Sequence, residues 1–119
     1  MSDILIQHIV IRRDILTLPK WNRGSIIAQG AHAALAAVAK HMHRSETHAY
    51  LQNHMSMTKA VLGVEDEAEL LSLSEVLTKA NVPHHLWIEQ PDNIPTALAT
   101  APQLKSEVKP HLGHLKLLK

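Results

Sequence analysis

No cysteine occurs among the 119 residues, which excludes disulfides, thiolate nucleophiles and cysteine-held metals. Phenylalanine is absent as well, and Trp21, Tyr50 and Trp87 are the only Trp or Tyr residues. The core must therefore be built from Leu, Ile, Val and Ala. No apolar run reaches the roughly 18 residues of a membrane span, so no membrane partner is expected. The opening Met1-Ser2-Asp3 lacks a basic-then-apolar export pattern, which makes the cytoplasm the expected address. A strong charge of either sign is also missing, since the net charge is +1. The two halves nevertheless differ. Residues 1–58 hold six Lys/Arg against three acids and residues 59–119 six against eight, giving +3 and −2. An acidic substrate would meet the first half through a local patch, not a global basic field.

What is present is the composition of a globular domain, 45% apolar and 19% charged. The length suits a single domain over residues 1–119, able to bury about two thirds of its unfolded surface. Ile4–Arg13 is β-branched and almost continuously apolar, as in a central buried strand. Asp14–Trp21 contains Pro19 and leads to Asn22, a helix cap, so the first helix should run from Gly24 to about Met42. The polar, His-rich stretch His41–Ser56 should hold a short helix or ordered loop around Thr47–His54. Lys59–Val64 reads as a second strand, and Glu65-Asp66-Glu67 starts a helix extending to about Ala80, where acids suit the dipole. Asn81-Val82-Pro83 is a stop. His84–Glu89 and Thr96–Ala101 are strands three and four around the turn Gln90–Pro95, and Leu104–Leu112 is a last helix despite Pro110. Leu115–Leu118 could close a sheet edge. This order predicts an α/β fold: three layers, a mixed four- to five-stranded sheet, and helices on both faces.

Arg23–Ala34 is the most informative segment. Gln29 and His32 stand one turn apart in a helix whose other residues nearby are small or aliphatic, so they should share a polar face. In open α/β sheets, sites gather at the carboxyl ends of strands, where helix N-termini also point. Two polar clusters fit that description: Arg23, Ser25, Gln29 and His32 after strand one, and Glu89, Gln90, Asp92 and Asn93 after strand three. If the strands are neighbours, a His, two carboxylates and two amides converge beside N–H groups able to hold a phosphate or an oxyanion. The pattern alone equally fits a His32 tied to a backbone carbonyl, a Gln29 that pins a loop, and a solvated Glu89. No metal is expected. His41-x-His43, His84-His85 and His111-x-x-His114 match no specific ligand motif, and His-Glu-x-x-His is absent. A nucleophilic serine has no Gly-x-Ser-x-Gly setting, and Trp87 reads as core.

The segment Ile26-Ile27-Ala28-Gln29-Gly30-Ala31-His32-Ala33-Ala34, the first strand, the acidic start of the second long helix and the closing Gly113–Leu118 resemble the type 2 peptidyl-tRNA hydrolase family. Ala49-Tyr50-Leu51-Gln52 and Leu86–Ile94 are similar to its divergent branch of peptidyl-tRNA hydrolase domain-containing proteins. The resemblance implies a three-layer fold, frequently a homodimer, that cleaves the ester between a peptide and the terminal ribose of tRNA during translation, with no cofactor. Two departures stand out. Family enzymes carry Lys-Gly-Lys, whose second lysine counts as catalytic, where this chain has Arg23-Gly24-Ser25. Their Asp-Ala-Gly-x-Thr-Gln segment is replaced by Glu89-Gln90-Pro91-Asp92-Asn93, which keeps a carboxylate at Glu89 and leaves the threonine without a clear counterpart.

On this resemblance the catalytic residues expected are His32, Glu89, Gln29 and Asp92. His32 would be the general base for an attacking water, Glu89 or Asp92 would orient the imidazole, and Gln29 with helix amides would hold the oxyanion. Arg23 would pair with an acceptor-end phosphate, with Ser25, Asn93 and Lys20 also binding substrate. The alternative is a relative without turnover that binds tRNA or a protein.

Overall fold

The computed structural model describes residues 3–119. Its sheet is mixed. Strands β1 (Leu5–Arg12) and β2 (Thr58–Val64) are parallel, with Ile6 opposite Thr58 and Arg12 opposite Val64. Strand β4 (Ile94–Thr100) runs antiparallel to β1 and to β3 (His84–Glu89). Two-residue strands β5 (Gln103–Leu104) and β6 (Lys116–Leu117) complete a six-stranded sheet ordered β3-β4-β1-β2-β6, with β5 beside the start of β1. The carboxyl ends of β1, β2 and β3 consequently lie along one edge.

Alternation along β1 divides the core. Ile9 and Ile11 face helix α1 (Arg23–Lys40), packing with Ile26, Ala33, Ala34 and Ala37. Val10 faces the other way, toward α3 (Glu67–Lys79) and α4 (Lys105–Leu112), where Leu70, Leu73, Leu77, Val108 and Leu112 gather. Short α2 (Ser45–Gln52) brings Tyr50 to the α1 side, its hydroxyl donating to the Thr58 carbonyl at 2.8 Å. This is the three-layer arrangement expected, with six strands instead of four or five. The short β5 carries no periodic signal long enough to read.

Local chemistry explains the helix starts. Asn22 caps α1: its side chain accepts from the Ser25 amide while the Ser25 hydroxyl accepts from the Asn22 amide, a reciprocal capping box. The helix therefore begins at Arg23 and ends at Lys40, short of Met42. In α3 the acid at the cap is Asp66, so Glu65 lies outside the helix and its N–H donates to Glu69. Asn81, at φ 57°, turns the chain out of α3, and Asn93, at φ 55°, closes the β3–β4 hairpin. Strand β4 starts at Ile94, two residues earlier than anticipated, because the turn needs only residues 90–93. Pro110 sits inside α4 and removes one backbone donor without ending the helix.

One buried polar residue interrupts the apolar reading of β1. Gln7 is fully buried, donating to the Ala34 and Thr100 carbonyls at 2.9 and 3.0 Å and accepting from the Lys59 ammonium. At the other end of β1, nearly buried Arg12 donates to both Asp14 oxygens at 2.7 and 2.6 Å, to Glu67 at 3.3 Å and to the Pro95 carbonyl at 3.1 Å. This node joins the ends of β1, α3 and β4.

Hydrogen bonds from Arg12 hold the Asp14 carboxyl below its ordinary range, against the opposing effect of burial. Folded protein thus binds fewer protons there than unfolded chain. The stabilisation is complete above the unfolded value of about 3.9 and is lost as pH falls through the lowered one. Asp14→Asn is expected to lower stability at neutral pH, with the gap to wild type closing in acid. Urea unfolding at pH 7 and pH 3 measures this.

Candidate active site at the ends of β1 and β3

Helix α1 crosses above β1, β4 and β3, which sets its polar residues at the strand-end edge. His32 is exposed there. Its imidazole lies flat on the Trp87 indole of β3, with ring centroids 4.6 Å apart and planes 18° from parallel. The half-buried Trp87 points to the same face of β3 as Glu89, two residues on, and its indole N–H donates to Glu89 Oε1 at 3.0 Å. His32, Trp87 and Glu89 therefore form one connected unit in which the indole separates imidazole from carboxylate.

Gln29 occupies a different environment. It is 1% exposed beneath α1, and its Oε1 accepts from the buried Thr96 hydroxyl at 2.6 Å. The expectation that Gln29 and His32 share one polar face needs correction. A three-residue step leaves side chains about 60° apart around the helix axis, enough to put one under the helix and the other at its rim. With its oxygen engaged, Gln29 locks α1 to β4.

The remaining predicted residues are distributed along the same edge. Arg23 is the exposed first residue of α1, and Ser25 is occupied in the capping box, its hydroxyl also donating to the Asn22 carbonyl at 2.9 Å. Asp92 pairs with Lys20 at 2.8 Å, both well exposed, and Lys20 Nζ also lies 5.8 Å from the Trp21 ring centroid. Asn93 accepts from Gln90 within the hairpin turn at 2.9 Å. Asp92 is thus directed to Lys20 and Glu89 to the indole, so neither carboxylate is hydrogen-bonded to His32. Two further residues, Trp87 and Thr96, hold His32 and Gln29 in these positions. Trp87 packs against the core layer of Ile9, Ile11 and Ala97, as expected, and its ring also stacks on His32, a contact for which its alternation with Glu89 on an edge strand is the available sign. Thr96 offered no such sign, because its partner lies 67 positions away. Among the described residues no group of three or more His, Asp or Glu is arranged to hold a metal ion.

The class is that of an α/β protein with helices on both faces of a mixed sheet and polar groups collected at the strand ends. Within it, the chain matches the family described as Peptidyl-tRNA hydrolase PTH2 over residues 5–118, and it belongs to that family. A human protein named "Putative peptidyl-tRNA hydrolase PTRHD1" is 42% identical over 118 residues, covering 98% of this chain and 84% of the human one. The mouse protein of the same name is 43% identical over 120 residues, with the same coverage. A protein of Thermococcus onnurineus named "Peptidyl-tRNA hydrolase" is 31% identical over 117 residues, covering 94% of this chain and 96% of its own length.

Thr96→Val keeps the shape of the buried side chain and removes the donor to Gln29 Oε1. Leaving that oxygen unpaired is expected to cost about 1–3 kcal/mol of stability. Chemical denaturation gives the value, and a change under about 0.5 kcal/mol, the size of an ordinary surface substitution, contradicts the lock.

Proposed function

We propose that the chain hydrolyses the ester of peptidyl-tRNA, with the His32–Trp87–Glu89 unit at its centre. The observation that carries the reading is an open imidazole, held in one orientation, at the strand-end edge of a chain belonging to this family. In the proposed reaction His32 takes a proton from water as the oxygen attacks the ester carbonyl carbon. The tetrahedral intermediate then collapses, the bond to the ribose oxygen breaks, and the imidazolium returns the proton to that oxygen. The peptide acid and the tRNA leave, and the acid gives its proton to solvent to become the carboxylate.

In this reading the indole takes the orienting role expected of Glu89 or Asp92. It fixes the plane of the ring, and its face attracts the imidazolium that forms, by about 0.5–2 kcal/mol in such contacts. Glu89 is a positioning residue that acts through the indole N–H, and Gln29 positions α1 through Thr96. Arg23 is available to an acceptor-end phosphate, with Lys20 and Asn93 flanking the approach. This reading carries a cytoplasmic address. It also carries a homodimer, to which the outward stripe of α1, with Ile27 and Leu35 each 71% exposed, is suited.

A specific observation supports a second reading, that of a module which binds peptidyl-tRNA without turning it over. Ser25 stands where the resemblance places a catalytic lysine, and its hydroxyl is consumed in capping α1. Incubation with purified peptidyl-tRNA distinguishes the two, since an enzyme frees the peptide and a binder protects the ester.

His32→Ala is expected to reduce hydrolysis by about 10²–10⁴-fold, the usual contribution of a general base, while the circular dichroism spectrum stays native. Full turnover in the variant removes His32 from the mechanism.

A further inference from the structure

The opposite face of the sheet carries a second concave feature. A cleft of about 960 Å³ lies between α4 and a floor formed by β1 and β2. Ile6 and Leu62 lie buried on this floor, while Ile4 and Leu117 stand exposed at the mouth. His8 lies between Ile6 and Val10 on the inward-facing side of β1, where alternation demands an apolar residue. It is 8% exposed, lines the cleft, and its Nδ1 is enclosed with no hydrogen-bond partner. With Nδ1 sealed from solvent, Nε2 is the ring nitrogen left to meet a ligand in the cleft.

The polar groups are densest where α4 starts, and Lys109 adds a second ammonium in the last turn of that helix. The Lys105 amide donates to the Ile4 carbonyl at 2.8 Å, which fixes the start of α4 beside the start of β1. Lys105 and Lys109 line the cleft one turn apart, and neither joins an ion pair among the described residues. The Lys105 charge is felt at His8: burial first, and this ammonium second, hold the imidazole below its ordinary pKa. Asp3 is the only acid on the lining. Its carboxylate is committed to the N–H and hydroxyl of Ser106. From this corner α4 crosses the sheet toward β6, and beyond Lys109 the lining is aliphatic, at Leu112, Leu115 and Leu117. The corner where Lys105 meets His8, above a floor of Ile6 and Leu62, matches an unbranched chain with a negative head, and Lys109 adds to the attraction for an anion.

We propose that this cleft binds an aliphatic monocarboxylate, its head at the His8–Lys105 corner and its tail along α4 toward β6. The carboxylate pairs with the Lys105 ammonium and accepts a hydrogen bond from the His8 Nε2–H, while the tail covers the Ile6 and Leu62 floor. The inference is independent of the hydrolytic reading, because none of these residues belongs to the edge formed by His32, Trp87 and Glu89.

The test is calorimetric titration of the full chain at pH 7 with decanoate, and with decylammonium, which shares the tail and reverses the charge. Decanoate is expected to bind saturably at one site, with decylammonium at least about tenfold weaker. Losing one charged partner corresponds to about tenfold or more in affinity, so Lys105→Gln, an exposed change that leaves the fold alone, should weaken decanoate by that factor. His8→Leu, with its fold verified by thermal melting, should do the same. Absence of saturable decanoate binding overturns the proposal. So does equal affinity for the two amphiphiles, or binding unchanged in Lys105→Gln. Self-association that Leu117→Lys abolishes, in a chain that takes no decanoate, also overturns it and assigns the cleft to a second copy.

Discussion

The close approach of α1 to the sheet is the constraint from which the rest of the structure follows. Ala33 and Ala37 are fully buried in that contact. At Gly30 an added Cβ would already meet Ile9 and Ile11 side chains at 3.4 Å. Small residues let the helix backbone lie low on β1 and β4, and the isoleucines of β1, with Ile15 and Ile26, fill the volume that the alanines leave. Alanines contribute little apolar area, so most of the hydrophobic stabilisation of this layer comes from the isoleucines. The benefit of the alanines is positional. A helix held farther out by leucines would not bring Gln29 within hydrogen-bond distance of Thr96, nor seat His32 flat on Trp87.

Two polar anchors keep the helix from sliding on so smooth a surface. Near its N-terminal half, Gln29 receives the Thr96 hydroxyl of β4. Near its C-terminal half, Gln7 reaches up from β1 to the Ala34 carbonyl and across to Thr100. Aliphatic contacts alone tolerate small displacements. Buried hydrogen bonds do not, because a shift leaves both partners unpaired in a dry interior. The proposed chemistry needs such registration, since a ring displaced by about 1 Å can lose two orders of magnitude in rate. The Arg12 node supplies similar registration at the edge, where β1 ends and α3 and β4 begin.

Much of this was legible in the sequence. Residues 84–89 are legible as a strand with the observed ends, because the Asn81-Val82-Pro83 stop and the Gln90-Pro91 turn bound them on both sides. The start of α1 could be read from Asn22 and that of α3 from its acids, since capping is local chemistry. The gathering of polar residues at one edge followed from topology. The actual pairings did not. Asp92 belongs to Lys20, Glu89 to Trp87 and Gln29 to Thr96, and each choice depends on where distant strands lie. The angular separation of Gln29 and His32 is small on a helical wheel, yet it divides buried from exposed once a sheet lies beneath. Gln7 and His8, adjacent on a strand that reads as apolar, point to opposite faces. One is fully paired and the other has an orphaned nitrogen.

The central claim is that the imidazole–indole pair at the α1–β3 edge receives the peptide–ribose junction. Its most direct measurement is an NMR titration with an acceptor-end RNA bearing a peptide through a non-cleavable amide in place of the ester. The account predicts that the largest shift changes fall on the His32 ring protons and the Trp87 indole N–H, with contacts between ligand and imidazole visible in nuclear Overhauser spectra. Changes confined to α3, α4 or β6, with the His32 and Trp87 signals unmoved, contradict it.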